Sequence, residues 1–257
     1  GMPPSHPDLL DHLARRLRIE HRWHLKPFLR ELVRSATYRQ GNRAGPELRA
    51  RDPRNVLLAR GPATRLSAEM VRDQALRASG LLSPRQVGPS VMPPQPDGIW
   101  QTVYSGAKWT TPSGPDRYRR ALYTYWRRTS PYPSFLTFDS PSREICTPRR
   151  IATNTPLQAL VTLNDPVYLE CAQALARRMA SEGGTTPSER IAWALSLVTG
   201  HPAKPSHLKT LLALFHDARA EYEAHPAESR ALAASPDQAA LVLVANTVFN
   251  LDAALTK

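Results

Sequence analysis

The chain has 257 residues, a net charge of +12 and a pI near 10.3, with 25 prolines scattered along it. That length supports a real hydrophobic core, the scattered prolines read as turns and helix starts rather than a disordered tract, and no apolar run approaches the roughly 20 residues of a membrane-spanning helix. Lysine appears only at Lys26, Lys108, Lys204, Lys209 and Lys257, so arginine carries the positive charge, and its dispersal without a basic tail argues against a nucleic-acid partner.

The N-terminal stretch GMPPSHPDLL lacks a charged region followed by an apolar one, so no signal peptide is expected in this chain. Leu9, Leu10, Leu13 and Leu17 share one face of a helix started by Ser5 and Pro7, and Phe28, Leu29, Leu32, Val33 and Ala36 mark a second that opens at Pro27. His21 and His24, near Glu20, have the spacing of two metal ligands on one helical face, but they sit in a basic junction, and no metal site is assigned. Ser67 is the N-cap of a third helix, with Leu66 and Val71 placed for a hydrophobic staple and Gly80 at its end. From Gly80 to Tyr118 helical period gives way to Pro, Gly and Ser, which predicts a long ordered loop, and a second runs from Thr129 to Arg149. Between them RYRRALYTYWRR fits a helix slightly better than a strand.

Three later segments repeat one start signal: Thr155-Pro156-Leu157-Gln158, Thr186-Pro187-Ser188-Glu189 and Ser235-Pro236-Asp237-Gln238. Each offers a hydroxyl cap, a proline with φ preset for the first turn, and Glu or Gln to complete a capping box. Leu208, Leu211, Leu212, Phe215 and Tyr222 form the stripe of the next-to-last helix, and Leu241, Val244, Ala245, Val248, Leu251 and Leu255 that of the last. The fold class is mainly α, a single irregular helical domain over residues 1–257 with two long ordered loops in its central region. A subdivision at 1–182 and 183–257 is the alternative. Cys146 and Cys171 allow one disulfide at most; Cys171 falls on the apolar side of a helix, and neither belongs to a CxxC or CxxCH motif, so no haem is attached here.

The stretch from Pro93 to Pro166 interleaves aromatics, arginines and carboxylates more densely than packing requires. Arg117, Arg120, Arg127, Arg128, Arg143 and Arg150, joined by Arg119 and Arg149, surround Asp116, Asp139 and Glu144. Arginine forks match sulfate, phosphate or carboxylate geometry, and Trp100, Trp109 and Trp126 are the candidate aromatic platform for sugar rings. The competing reading weighs more: the arginines clamp the long loops by pairing with Asp139, Glu144 and backbone carbonyls, and the aromatics are core. The chain carries no GxSxG, P-loop, HExxH or GxGxxG motif.

The ordered motifs HPDLLDHLARRL, LVRSATYRQ, DPRNVLLARGPATRLSAEMVRDQAL, PPQPDGIWQTVYSG, RRALYTYWRRTSPYPSFLTFDSPSRE, RRIATNTPLQALVTLNDPVYLE and NTVFNLDAALTK cover essentially the whole chain. Together they resemble the planctomycete cytochrome-c-associated C-terminal domain, domain of unknown function 1553. The resemblance implies the last module of a long exported protein, extracytoplasmic, whose partners are upstream domains of the same polypeptide and whose haem belongs to one of them. Such proteins tend to end in Asn-Leu-Asp-Glu, and this chain departs from that at Ala253. No catalytic residue carries over. The leading expectation is a non-catalytic helical module contributing protein or glycan contacts, with its arginines paired internally. The alternative is an enzyme, or an enzyme's partner, acting on anionic polysaccharide, which needs several arginines open in a cleft beside a carboxylate.

Overall fold

The computed structural model describes residues 3–100, 106 and 108–257; the Gln101–Ser105 part of the central signature lies outside the described residues. The described chain is mainly α-helical, with twelve α-helices and no strand longer than an isolated bridge. Nine of the twelve open on proline at their first position. An N1 proline loses no hydrogen bond and starts with a helical φ, which is where much of the chain's proline goes.

The backbone divides into two compact units, residues 1–64 with Lys257, and residues 65–256. In the first, α1 (Pro7–Arg15) continues into a π-helical turn, Arg16–Glu20. After a bend at Arg22 and Trp23, both with left-handed backbone (φ 45° and 64°), α2 (Leu25–Arg34) and α3 (Pro46–Arg51) follow. Glu31 joins the first two helices by forming an ion pair with Arg16, 2.6 Å from its Nε, and by pairing with His21 Nε2 at 2.7 Å. His24 Nδ1 lies 2.8 Å from the His21 carbonyl. No residue of these helices is fully buried. The hinge after α3 is held by Asp52, whose carboxylate accepts from the Leu57 and Val56 amides at 2.7 and 2.8 Å. Those bonds, the Leu57 one foremost, outweigh desolvation and hold its carboxyl below the usual range.

The second unit contains the core. α4 (Ala68–Ser79) is capped by Ser67 Oγ, which accepts from the Met70 amide, and ends at Gly80 with φ 79°, as the sequence predicts. The short α5 (Pro133–Thr137) and α6 (Pro156–Asn164) lead to α7 (Pro166–Glu182), capped by Asp165. α8 (Pro187–Thr199), α9 (Pro205–Ala224), α10 (Pro226–Leu232), α11 (Pro236–Asn250) and α12 (Asp252–Leu255) complete the chain. α11 packs against α7 on one side and α9 on another, while α4 lies on α7. Leu175, Met179, Ile191, Leu241, Val244, Ala245 and Val248 are sealed between them. α7 and α8, on either side of position 182, line this one core, so the fold does not divide there.

The three repeated start signals diverge. Thr186 and Glu189 form the complete capping box. Ser235 caps through the Gln238 amide alone. Thr155 makes no side-chain cap, its carbonyl rather than its hydroxyl accepting from the Gln158 amide at 3.1 Å. The Gln158 side chain that would complete the box is turned inward: its Nε2 donates to the Thr137 carbonyl at 3.0 Å and to Thr153 Oγ1 at 3.1 Å, and its Oε1 accepts from Arg65 at 2.7 Å. The segment RYRRALYTYWRR is neither helix nor strand. It starts at the end of one 3₁₀ turn, Gly114–Tyr118, and holds a second, Ala121–Tyr123, between parallel bridges that pair Ser83 with Arg119 and Val91 with Thr124. The first long loop is thereby stitched alongside it. The final stripe is broken at Leu251, which ends α11 and opens α12. Both cysteines are free, Cys171 buried and Cys146 exposed.

Candidate functional site: an arginine clamp and the cleft beside it

Helix α4 sets the geometry. Glu69 and Asp73 are four residues apart, so they stand one above the other on the same helical face. Arg72 projects from another face into the interior, where it is 1% exposed.

The loop arginines find their carboxylates on helices rather than within their own block. Arg150 makes a two-pronged pair with Glu69, Nη1 to Oε2 at 2.6 Å and Nη2 to Oε1 at 2.9 Å. Desolvation pushes the Glu69 carboxyl up, but the bond from Arg150 and local backbone donors outweigh it and leave it below its ordinary value. Arg120 Nε donates to Asp73 Oδ2 at 3.3 Å, and Asp73 Oδ1 accepts from the Ala121 amide at 2.7 Å. Arg117 forks onto Glu170 of α7, which raises its guanidinium above the ordinary arginine value. Arg119, 1% exposed, donates to the Pro89 and Val87 carbonyls at 2.8 and 2.6 Å and lies 3.7 Å over the Tyr123 ring. Arg119 thus satisfies loop carbonyls, while Arg117, Arg120 and Arg150 fix their segments to α7 and α4.

Asp139 and Glu144 take none of the arginine bonds just described. Asp139, held at φ 61°, accepts from the Thr153 amide at 2.7 Å and the Thr153 hydroxyl at 2.8 Å, and so ties the second long loop to the stretch that follows it. Glu144 is exposed, as are Arg128 and Arg149. Arg127 Nε donates to Thr129 Oγ1 at 3.2 Å and lies 5.6 Å over Trp100. Asp116 pairs with Arg85 at 3.0 Å.

The tryptophans are built into the interior side of the loops. Trp100 is buried, 5.1 Å from Trp109, and Trp109 stacks on Tyr132 at 5.8 Å while its Nε1 donates to the Pro93 carbonyl at 2.7 Å. Tyr132 in turn donates to the Pro94 carbonyl at 2.6 Å. Trp126 joins that cluster through Phe135, on which it stacks and which meets Tyr132 edge-on at 5.1 Å, and its Nε1 donates to the Ser142 carbonyl at 3.1 Å. Rings engaged in this way serve as packing and loop anchors.

Beside the clamp, α4 with Leu66, Arg120, Leu122, Arg143 and Arg150 lines an open cleft of about 720 Å³. It brings together three of the arginines that the sequence singles out, Arg120, Arg143 and Arg150, with Glu69 and Asp73. Arg117, Arg127 and Arg128 do not line it. The sequence does not mark Glu69 and Asp73; their four-residue spacing in RLSAEMVRD places them on one helical face but does not point to arginine partners. Cys171 is no nucleophile, since burial pushes its thiol up to about 12. Among the described residues no group of three or more His, Cys, Asp or Glu is placed to hold a metal.

No curated protein and no solved structure matches the chain. The profile of one family, described as PSD1, protein of unknown function (DUF1553), matches residues 1–215, from the first described helices into α9. With more than four-fifths of its length inside that match, and with the helical fold those motifs predict, the chain belongs to the DUF1553 family.

Proposed function

We propose that this chain is a non-catalytic helical module of an exported multidomain protein, and that residues 1–64 contact a neighbouring protein domain of the same polypeptide. The observation that carries this reading is the uncovered apolar face of α1 and α2. Leu9, Leu10, Leu25, Leu29 and Val33 are exposed, and Trp23, at the bend between the helices, is 68% exposed. Helices so amphipathic normally hide their apolar stripe, and apolar side chains gathered this way mark a contact surface. Residues 1–64 also hold thirteen Lys and Arg against six Asp and Glu, a net +7 of the chain's +12. The matching surface is therefore an apolar groove bordered by carboxylates.

The non-catalytic part of the reading is supported by the clamp. Arg117, Arg120 and Arg150 are each bonded to a helix carboxylate, so a polysaccharide enzyme that needs them open loses its anion donors. Hydrogen exchange tests the contact. Amides of residues 7–34 are expected to exchange at least tenfold more slowly in the full-length polypeptide than in this chain alone, since burying a helix face raises its opening free energy. Equal exchange in the two proteins would sink the proposal.

A further inference from the structure

We propose that the cleft beside α4 is a binding site for an extended peptide segment carrying an acidic residue next to an apolar one, with Arg143 as the residue that takes the carboxylate. Three arginines line this cleft. Arg120 and Arg150 are already bonded to Asp73 and Glu69. Arg143 makes no ion pair or hydrogen bond among the described residues. Its guanidinium lies 4.6 Å over the Trp126 ring, and stacking of that kind occupies the flat face while leaving the edge donors free. The backbone at Arg143 is left-handed, φ 65°, a conformation that costs a non-glycine residue free energy and that collects at ligand clamps. The stacked ring presets the fork, so little side-chain freedom is lost when an anion arrives.

The rest of the lining selects the class of ligand. Met70 is 57% exposed and Leu122 is 75% exposed, and both line the cleft with Leu66. Bare aliphatic side chains suit the apolar side chains of a peptide, whereas a sugar ring is recognised on an open aromatic face, and the Trp126 face is covered by Arg143. The two internal pairs act as a filter. With Glu69 and Asp73 neutralising Arg150 and Arg120, one guanidinium is left for a ligand, which suits an isolated carboxylate better than a sulfated chain.

The test uses the whole chain on an array of eight-residue peptides of randomised sequence, followed by titration of the best binder read by fluorescence anisotropy. Bound peptides are expected to be enriched in an acidic residue adjacent to Leu, Ile, Met or Phe. Replacing Arg143→Gly, which relieves the left-handed backbone while removing the guanidinium, is expected to weaken binding about tenfold or more, as loss of a charge-assisted bond does. Leu122→Ser is expected to weaken it several-fold, and Arg128→Ala, an exposed arginine outside the cleft, to leave it unchanged. No compositional enrichment, or equal affinity for the Arg143→Gly chain, would overturn the proposal. So would a sulfated hexasaccharide that binds more tightly than the peptide and displaces it, because the site would then belong to a glycan.

Discussion

Asp165 is asked to do two things at once. Its carboxylate caps α7 by accepting from the Val167 amide at 3.0 Å, yet it is only 5% exposed. Burial dominates and pushes its carboxyl up to about 6, against 3.8 for a free aspartate. The buried Arg72 guanidinium opposes that rise without cancelling it. A raised carboxyl binds its proton more tightly in the folded state, so its contribution to stability is complete below pH 4 and is lost as pH rises through 6. Asp165→Asn keeps a capping oxygen and removes the buried charge. Urea unfolding of the two chains is expected to give the variant an advantage on the order of 2 kcal/mol at pH 8, shrinking to nothing near pH 4. A constant difference across that range would show that Asp165 is not the titrating group.

At the scale of elements, the clamp replaces the regular hydrogen bonding that the loops lack. Arg150 and Glu69 are the best-formed exposed part of it, so a double-mutant cycle with Arg150→Ala and Glu69→Ala is expected to give a coupling of about 1 kcal/mol at low salt. That coupling should fall when salt is raised, since the pair is partly exposed. The helices were largely legible in the sequence because their signals are local: a cap, a proline and an apolar stripe lie within one or two turns of each other. Thr155 shows the limit of such reading, for the cap chemistry was present but Gln158 was drawn into a buried network with Thr137, Thr153 and Arg65. The clamp was legible in kind but not in its partners. Arg117, Arg120 and Arg150 pair across 53, 47 and 81 positions, and nothing in a linear sequence ranks Glu69 or Asp73 above the nearer Asp139 and Glu144. RYRRALYTYWRR failed as a helix for the same reason: a distant loop, residues 83–91, supplies its bridges.

Across the whole molecule, the family match and the folding unit do not end together. The match stops at residue 215, inside α9, whereas α11 lies entirely beyond it. α11 contributes Leu241, Val242, Val244, Ala245, Val248 and Phe249 to the interior, all fully or almost fully buried. A chain ended after residue 215 would leave α7 uncovered along the face that packs on α11. Losing several buried side chains at about 1.5–3 kcal/mol each exceeds the stability of an ordinary domain. Such a chain is expected to show no cooperative thermal transition by circular dichroism. A sharp transition would mean that the matched stretch folds without its last helices.

One detail of the larger unit has a topological side. The Leu66 amide donates to the Leu255 carbonyl at 2.8 Å, and Arg65 bridges Thr256 in antiparallel fashion, so the unit's first and last residues are neighbours. In terms of connectivity the unit is nearly a ring. Its helices keep the same cyclic order wherever the ring is cut, and the chain enters and leaves through a single doorway. A body built like that can be carried within a longer polypeptide as a pendant, joined at one point.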